Sequence, residues 1–283
     1  MESTELILCP LTLRRDLFEC SAEQYRGLLD VAVKRGYSGV SLGLIDTGTA
    51  EAAGISLDEF LAQFEERGLS TPVVDAISGW GQGQGEDEIA AQAKAVLDVA
   101  SRAGAETVVA ISMEATIPSV DVAAQGFARV CKFAADRGLK AAIEFFPWGG
   151  IPDISTVWEV VQAAGADNGG IVFDTWHWGR DPKGEDHDTL RKIPGDRIHI
   201  VQIDDAGPEP EADLMQETLR ARRLPGDGVV NIVGALEIIR EIGAKPIMAP
   251  EVFSQDLFAL GADEMARQVA DATRTVLTKA GWS

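Results

Sequence analysis

Eight short apolar runs alternate with stretches of helical periodicity along the 283 residues, and no other feature constrains the fold as strongly. The runs are Leu6–Cys9, Gly39–Leu44, Thr71–Ile77, Thr107–Ser112, Ala141–Phe145, Ile171–Asp174, Ile198–Asp204 and Pro246–Phe253. Most are continuously apolar, as strands buried on both faces of a parallel sheet must be. Between them, Ser21-Ala-Glu-Gln24 and Ser56-Leu-Asp-Glu59 have the form of capping boxes that start helices. Glu86–Ala103, Ser119–Arg137, Ser155–Ala164, Asn231–Ile242 and Asp263–Lys279 follow the same helical plan. Eight such units predict a single α/β domain over residues 1–283, a closed (β/α)8 barrel with an elaborated loop at about 204–228. The competing fold, a doubly wound open sheet, calls for a glycine-rich turn after the first strand, where this chain has Cys9-Pro-Leu-Thr-Leu. Gly79–Gly85 has G-x-G spacing but follows the third run and lacks the lysine of a phosphate loop, so it reads as an active-site loop.

Polar residues at the ends of the last four runs carry the chemistry. Glu144 closes the fifth, Asp174 closes the sixth, Gln202 lies near the end of the seventh and Glu251 near the end of the eighth. In a barrel these ends converge on one mouth, so four consecutive strands aim four side chains at one point. Three carboxylates in one pocket repel each other unless a cation neutralises them. An oxygen-rich set suits a hard divalent ion, with Mn²⁺ favoured and Mg²⁺, Co²⁺ or Zn²⁺ as alternatives. His177 follows Asp174 by three residues and is expected to return over the mouth to meet a substrate oxygen. His199 lies three residues before Gln202, on the opposite face of its strand, and reads as structural. His187, in a polar stretch, reads as a solvated surface group. Arg222 precedes Pro225-Gly-Asp-Gly228, a tight turn expected to fix its guanidinium over the pocket. Trp80, Phe146, Trp148 and Trp176 fall just past strand ends and are expected to wall the site, with Glu114 a further substrate contact.

Composition narrows the partners. The net charge of −20 opposes binding to nucleic acid. No run is long and apolar enough for a membrane span, and Met1–Asp16 lacks the basic start of a secretory leader, so a cytoplasmic enzyme is expected. Three scattered cysteines, Cys9, Cys20 and Cys131, argue against a disulfide framework. A homodimer is compatible with the sequence but not dictated by it.

The order Ile-Glu144-Phe, Phe-Asp174-Thr-Trp-His177, Val-Gln202-Ile-Asp-Asp, Arg222-Arg-Leu-Pro-Gly-Asp-Gly228 and Pro-Glu251 resembles the sugar phosphate isomerase/epimerase superfamily, the xylose-isomerase-like TIM barrels. The resemblance spans the chain and is strongest from Glu144 onward. It implies that Glu144, Asp174, Gln202 and Glu251 bind the metal and that Glu144 and Glu251 carry protons. His177 and Arg222 would contact substrate. Many relatives have histidine where Gln202 stands, a departure that bears on metal identity and affinity. The implied reaction is isomerisation or epimerisation of a sugar, ketose or inositol-like substrate through an enediolate. A lyase or dehydratase acting on a related polyol or keto substrate is the alternative. A non-catalytic sugar-binding barrel and an endonuclease IV-like phosphodiesterase are more remote, the latter because it needs several metals and many histidines where this chain has three.

Overall fold

A computed structural model describes residues 4–14 and 20–282. The reading of Met1–Asp16 falls partly outside these residues. Eight parallel strands curl into a barrel: β1 (Ile7–Leu8), β2 (Gly39–Val40 and Leu42–Gly43), β3 (Val73–Ile77), β4 (Thr107–Ile111), β5 (Lys140–Glu144), β6 (Gly169–Asp174), β7 (Ile198–Ile203) and β8 (Ile247–Pro250). Each pairs with the next in parallel, from Ile7 beside Gly39 round to Gln202 beside Ala249. A parallel bridge from Leu6 to Met248 closes the barrel. β2 is broken at Ser41: its first half pairs with β1 and its second with β3.

Both predicted capping boxes form, at Ser21 with Gln24 and at Ser56 with Glu59. The helices Glu86–Ala103, Val120–Ala135, Ile154–Ala164, Ile232–Glu241 and Ala262–Lys279 lie where periodicity put them, within a few residues. Their apolar stripes and the outward faces of the strands make one large core that includes Val74, Val108, Ile143, Phe173, Val201 and Met248. The inward faces make a second, smaller core of Ile7, Val73, Val109, Ala142, Val172, Ile200 and Ala249, one residue from each strand but β2. This plug fills the barrel as one tier of side chains from successive strands.

The plug also positions the site. Side chains on a strand return to the same face every second residue. Two residues beyond the plug, toward the C-terminal mouth, stand Cys9, Asp75, Ile111, Glu144, Asp174, Gln202 and Glu251. The next tier is therefore mostly polar and sits directly on an apolar floor.

Candidate active site

Glu144, Asp174, Gln202 and Glu251 all occupy this tier, on β5, β6, β7 and immediately after β8. The predicted eighth run ended at Phe253, but the strand stops at Pro250, leaving Glu251 as the first residue past it. Asp174 and Gln202 are direct neighbours in the β6–β7 register. Asp174 is fully buried, and the other three show 8–9% exposure, a narrow face open to the mouth.

His177 returns to the site through a single helical turn, Thr175–Gly179. Asp174 caps that turn, its Oδ1 accepting the His177 N–H at 2.8 Å. The turn places His177 Nε2 3.4 Å from Glu144 Oε1 and 3.7 Å from Asp174 Oδ2. Glu144, Asp174 and His177 thus offer ligand atoms within 4.8 Å of one another. Burial pulls the imidazole down to about 3, so His177 is neutral at physiological pH and keeps a free lone pair. Phe146, Trp148 and Trp176 surround its ring with centroids at 5.0, 5.3 and 5.4 Å.

Arg222 is buried against the acids of the tier, and its donors are largely engaged. Nε and Nη2 bond Thr218 Oγ1 at 3.0 and 2.8 Å. Nη1 reaches Asp174 Oδ2 at 2.9 Å, Asp204, and Glu251 Oε2 at 3.4 Å. Its guanidinium also stacks over Phe253, 4.7 Å from the ring centre. Burial alone would favour a neutral guanidine, but Asp174, Asp204, Glu251 and Glu144 more than offset that and raise its pKa further. Glu144 is raised as well: burial first, then repulsion from Glu251 and Asp174, pushes its carboxyl well above the usual range. Burial also raises Glu251, which Arg222 partly restrains.

Whether these residues fit a metal ion is tested by atoms left over. Gln202 Oε1 and His177 Nε2 are buried and have no hydrogen-bond partner. Buried polar atoms are ordinarily satisfied, and both belong to groups that donate lone pairs to divalent cations. With the Glu144, Asp174 and Glu251 carboxylates of the same tier, Gln202 Oε1 makes an oxygen donor set suited to a divalent cation, and His177 stands beside it, so the residues fit.

The remaining predicted residues fall in different places. Trp148 is half-buried, stacked on Phe146 at 5.3 Å and edge-on to His177, and forms part of the wall. Trp80 is fully buried and packs on Phe127 at 5.7 Å, between barrel and helix. Glu114 accepts a 2.8 Å hydrogen bond from Ser112 Oγ beyond β4. His199 packs outside the barrel over Gly170, where a Cβ would come within 2.5 Å of its ring, in keeping with a structural role. His187 is not the solvated group its polar neighbours implied. It is half-buried, edge-to-face with Trp178 at 4.9 Å between ring centres, because that tryptophan offers an apolar face the local sequence does not reveal.

Three residues with no assigned role prove central. Asp204 is fully buried and takes hydrogen bonds from Thr175 Oγ1 and Trp176 N, both at 2.8 Å, as well as from Arg222. Asp205 accepts the amides of Ala206, Gly226, Gly228 and Val230 at 2.8–3.0 Å and so ties down the loop that carries Arg222. Asp75 stands in the tier itself, on β3; burial and the charge of Glu251 raise it to about 8. Its signal in the sequence is that it is the sole charged residue in Thr71–Ile77, two residues short of the run's end.

The xylose isomerase-like TIM barrel family matches residues 29–276. An inosose isomerase of Bacillus velezensis is 24% identical over 260 residues, covering 89% of this chain and 91% of that one. A 3-dehydroshikimate dehydratase of Pseudomonas putida is 31% identical over 145 residues, covering 51% of this chain and 22% of that longer one. Among solved structures, the IolI protein with a bound zinc atom superposes with a TM-score of 0.85 at 22% identity, covering 98% of this chain and 99% of that one.

Proposed function

The chain belongs to the xylose isomerase-like TIM barrel family, and from that premise we propose that it is a metal-dependent isomerase or epimerase of a keto-inositol or ketose. The observation that carries this reading is the polar tier, where Glu144, Asp174, Gln202 and Glu251 stand at or just past the ends of four consecutive strands beside a neutral His177. Glu144, Asp174, Gln202 and Glu251 would hold one divalent ion, with His177 beside them. When bound, the ion supplies Lewis acidity to a substrate carbonyl and its neighbouring hydroxyl. The oxygen-rich donors favour manganese, and the zinc in the IolI structure makes zinc the alternative.

The chain's own groups supply the proton chemistry. Glu251 takes the proton from the carbon beside the carbonyl, and Glu144 returns one, to the opposite face of the same carbon in epimerisation or to the neighbouring position in isomerisation. The product of abstraction is an enediolate, whose charge the Arg222 guanidinium helps to balance. Phe146, Trp148 and Trp176 shield one side from water and offer apolar faces to the C–H face of a cyclic polyol. Dehydration is the second reading, favoured by the likeness to the 3-dehydroshikimate dehydratase: the same enolate expels a β-hydroxyl when one is present. Incubating the protein with keto-inositols and ketoses in D₂O tests both. The proposal predicts deuterium at the carbon next to the carbonyl and a loss of about 10²–10⁴ in rate for Glu251→Gln. Near-normal turnover in that variant would remove Glu251 from the mechanism.

A further inference from the structure

The polar tier has two halves. β5 to β8 supply the residues proposed above, while β1, β3 and β4 supply Cys9, Asp75 and Ile111. In an eight-stranded closed barrel the third strand stands opposite the seventh, so Asp75 faces the Gln202 side across the mouth. Asp75 and Glu251 sense each other's charge, as do Asp75 and Glu144. The side chain is packed deep among protein atoms yet keeps part of its surface open.

What sets Asp75 apart is its lack of partners. Asp174, Asp204 and Glu251 share the Arg222 guanidinium. Asp46, also buried near the mouth, is paired with Arg14. Glu144 lies against His177. Among the described residues, Asp75 has neither a cation nor a hydrogen-bond donor. Its neighbour across the β1 side, Cys9, directs its thiol to Glu251 instead. With no partner within the fold and part of its surface open to the mouth, the Asp75 carboxyl is free to bind a polar group from outside the chain.

Resting on the proposed function, we infer that Asp75 is a substrate-binding and specificity residue, which holds a hydroxyl of a cyclic polyol on the side of the mouth away from the metal-binding half. A carboxyl suits that task in either protonation state: ionised it accepts from the hydroxyl, and protonated it donates to it. The position favours substrates long enough to bridge the barrel, such as a six-membered keto-inositol, over short-chain ketoses.

The test compares wild type, Asp75→Asn and Asp75→Leu on a keto-inositol that the wild type turns over and on its monodeoxy analogues, with thermal unfolding measured alongside. The inference predicts a KM raised tenfold or more in Asp75→Leu, a smaller change in kcat, and near-equal KM values for wild type and variant on the one analogue lacking the contacted hydroxyl. It also predicts that the leucine variant melts within a few degrees of wild type, because the substitution breaks no hydrogen bond or ion pair within the fold. Unchanged KM in a folded variant overturns the inference while leaving the proposed function intact. A melting temperature lowered in both variants, with equal KM changes on every analogue, assigns Asp75 a structural role and overturns it too. A wild type that neither turns over nor exchanges protons with any keto-inositol or ketose overturns the proposed function, and the subsite falls with it.

Discussion

The three histidines show how far identity alone carries and where packing takes over. His177 and His199 are both buried, and burial lowers both, to about 3 and about 4. His177 lies beside the Glu144 and Asp174 carboxylates of the tier. His199 sits outside the barrel among Lys140, Arg197 and Asp196, with Nε2 3.2 Å from the Asp196 carbonyl. Because the folded state prefers its neutral form, His199 contributes stability in full above its ordinary value of 6.5, and loses it as pH falls toward 4. His199→Gln is therefore expected to flatten that part of the stability curve by up to about 3 kcal/mol. Urea unfolding at stepped pH reads the difference, and parallel curves for wild type and variant between pH 6.5 and 4 would refute it. The opposite facing of His199 and Gln202 was legible from strand alternation. The buried edge of His187 was not, since its partner Trp178 is brought to it by the Thr175–Gly179 turn.

Elements were legible where apolar runs are long and less so where short-range chemistry overrides them. The runs at β5 and β6 end on Glu144 and Asp174 as read, because a strand leaving the core meets the mouth at its first polar side chain. The break of β2 at Ser41 and the helix Leu44–Ala52 were not foreseen. Thr47-Gly48-Thr49 are poor helix formers, and the helix is held by tertiary contact through the buried Asp46–Arg14 pair. The 204–228 loop was recognised by its length, but not its fastening. Asp205 binds four backbone amides across it, which proline and glycine signals do not announce. Asp205→Ala leaves those donors unmatched and is expected to cost about 2 kcal/mol or more. Loosening the segment that carries Arg222 should also lower kcat/KM. Denaturant midpoints and kinetics on the same preparation check both, and a variant unchanged in each would show that the loop is held by other contacts.

At the scale of the whole molecule, an apolar plug supports a polar tier that is metal-suited on one half and carries a lone acid on the other. The barrel and its family were readable from alternation and from the motifs at Glu144, Asp174 and Gly228, because each strand end must reach the same mouth. The contact of Arg222 with Asp174, Asp204 and Glu251 was not, since it joins residues up to 48 positions apart. That contact gives the tier an internal cation, so the number of metal ions bound per chain is the most direct test of the account. Purified wild type and the double variant Glu144→Gln/Asp174→Asn, incubated with manganese or zinc and freed of excess, are compared by elemental analysis. The account predicts about one equivalent in the wild type and little in the variant. A wild type that retains neither ion, or a variant that binds as well as wild type, would contradict it.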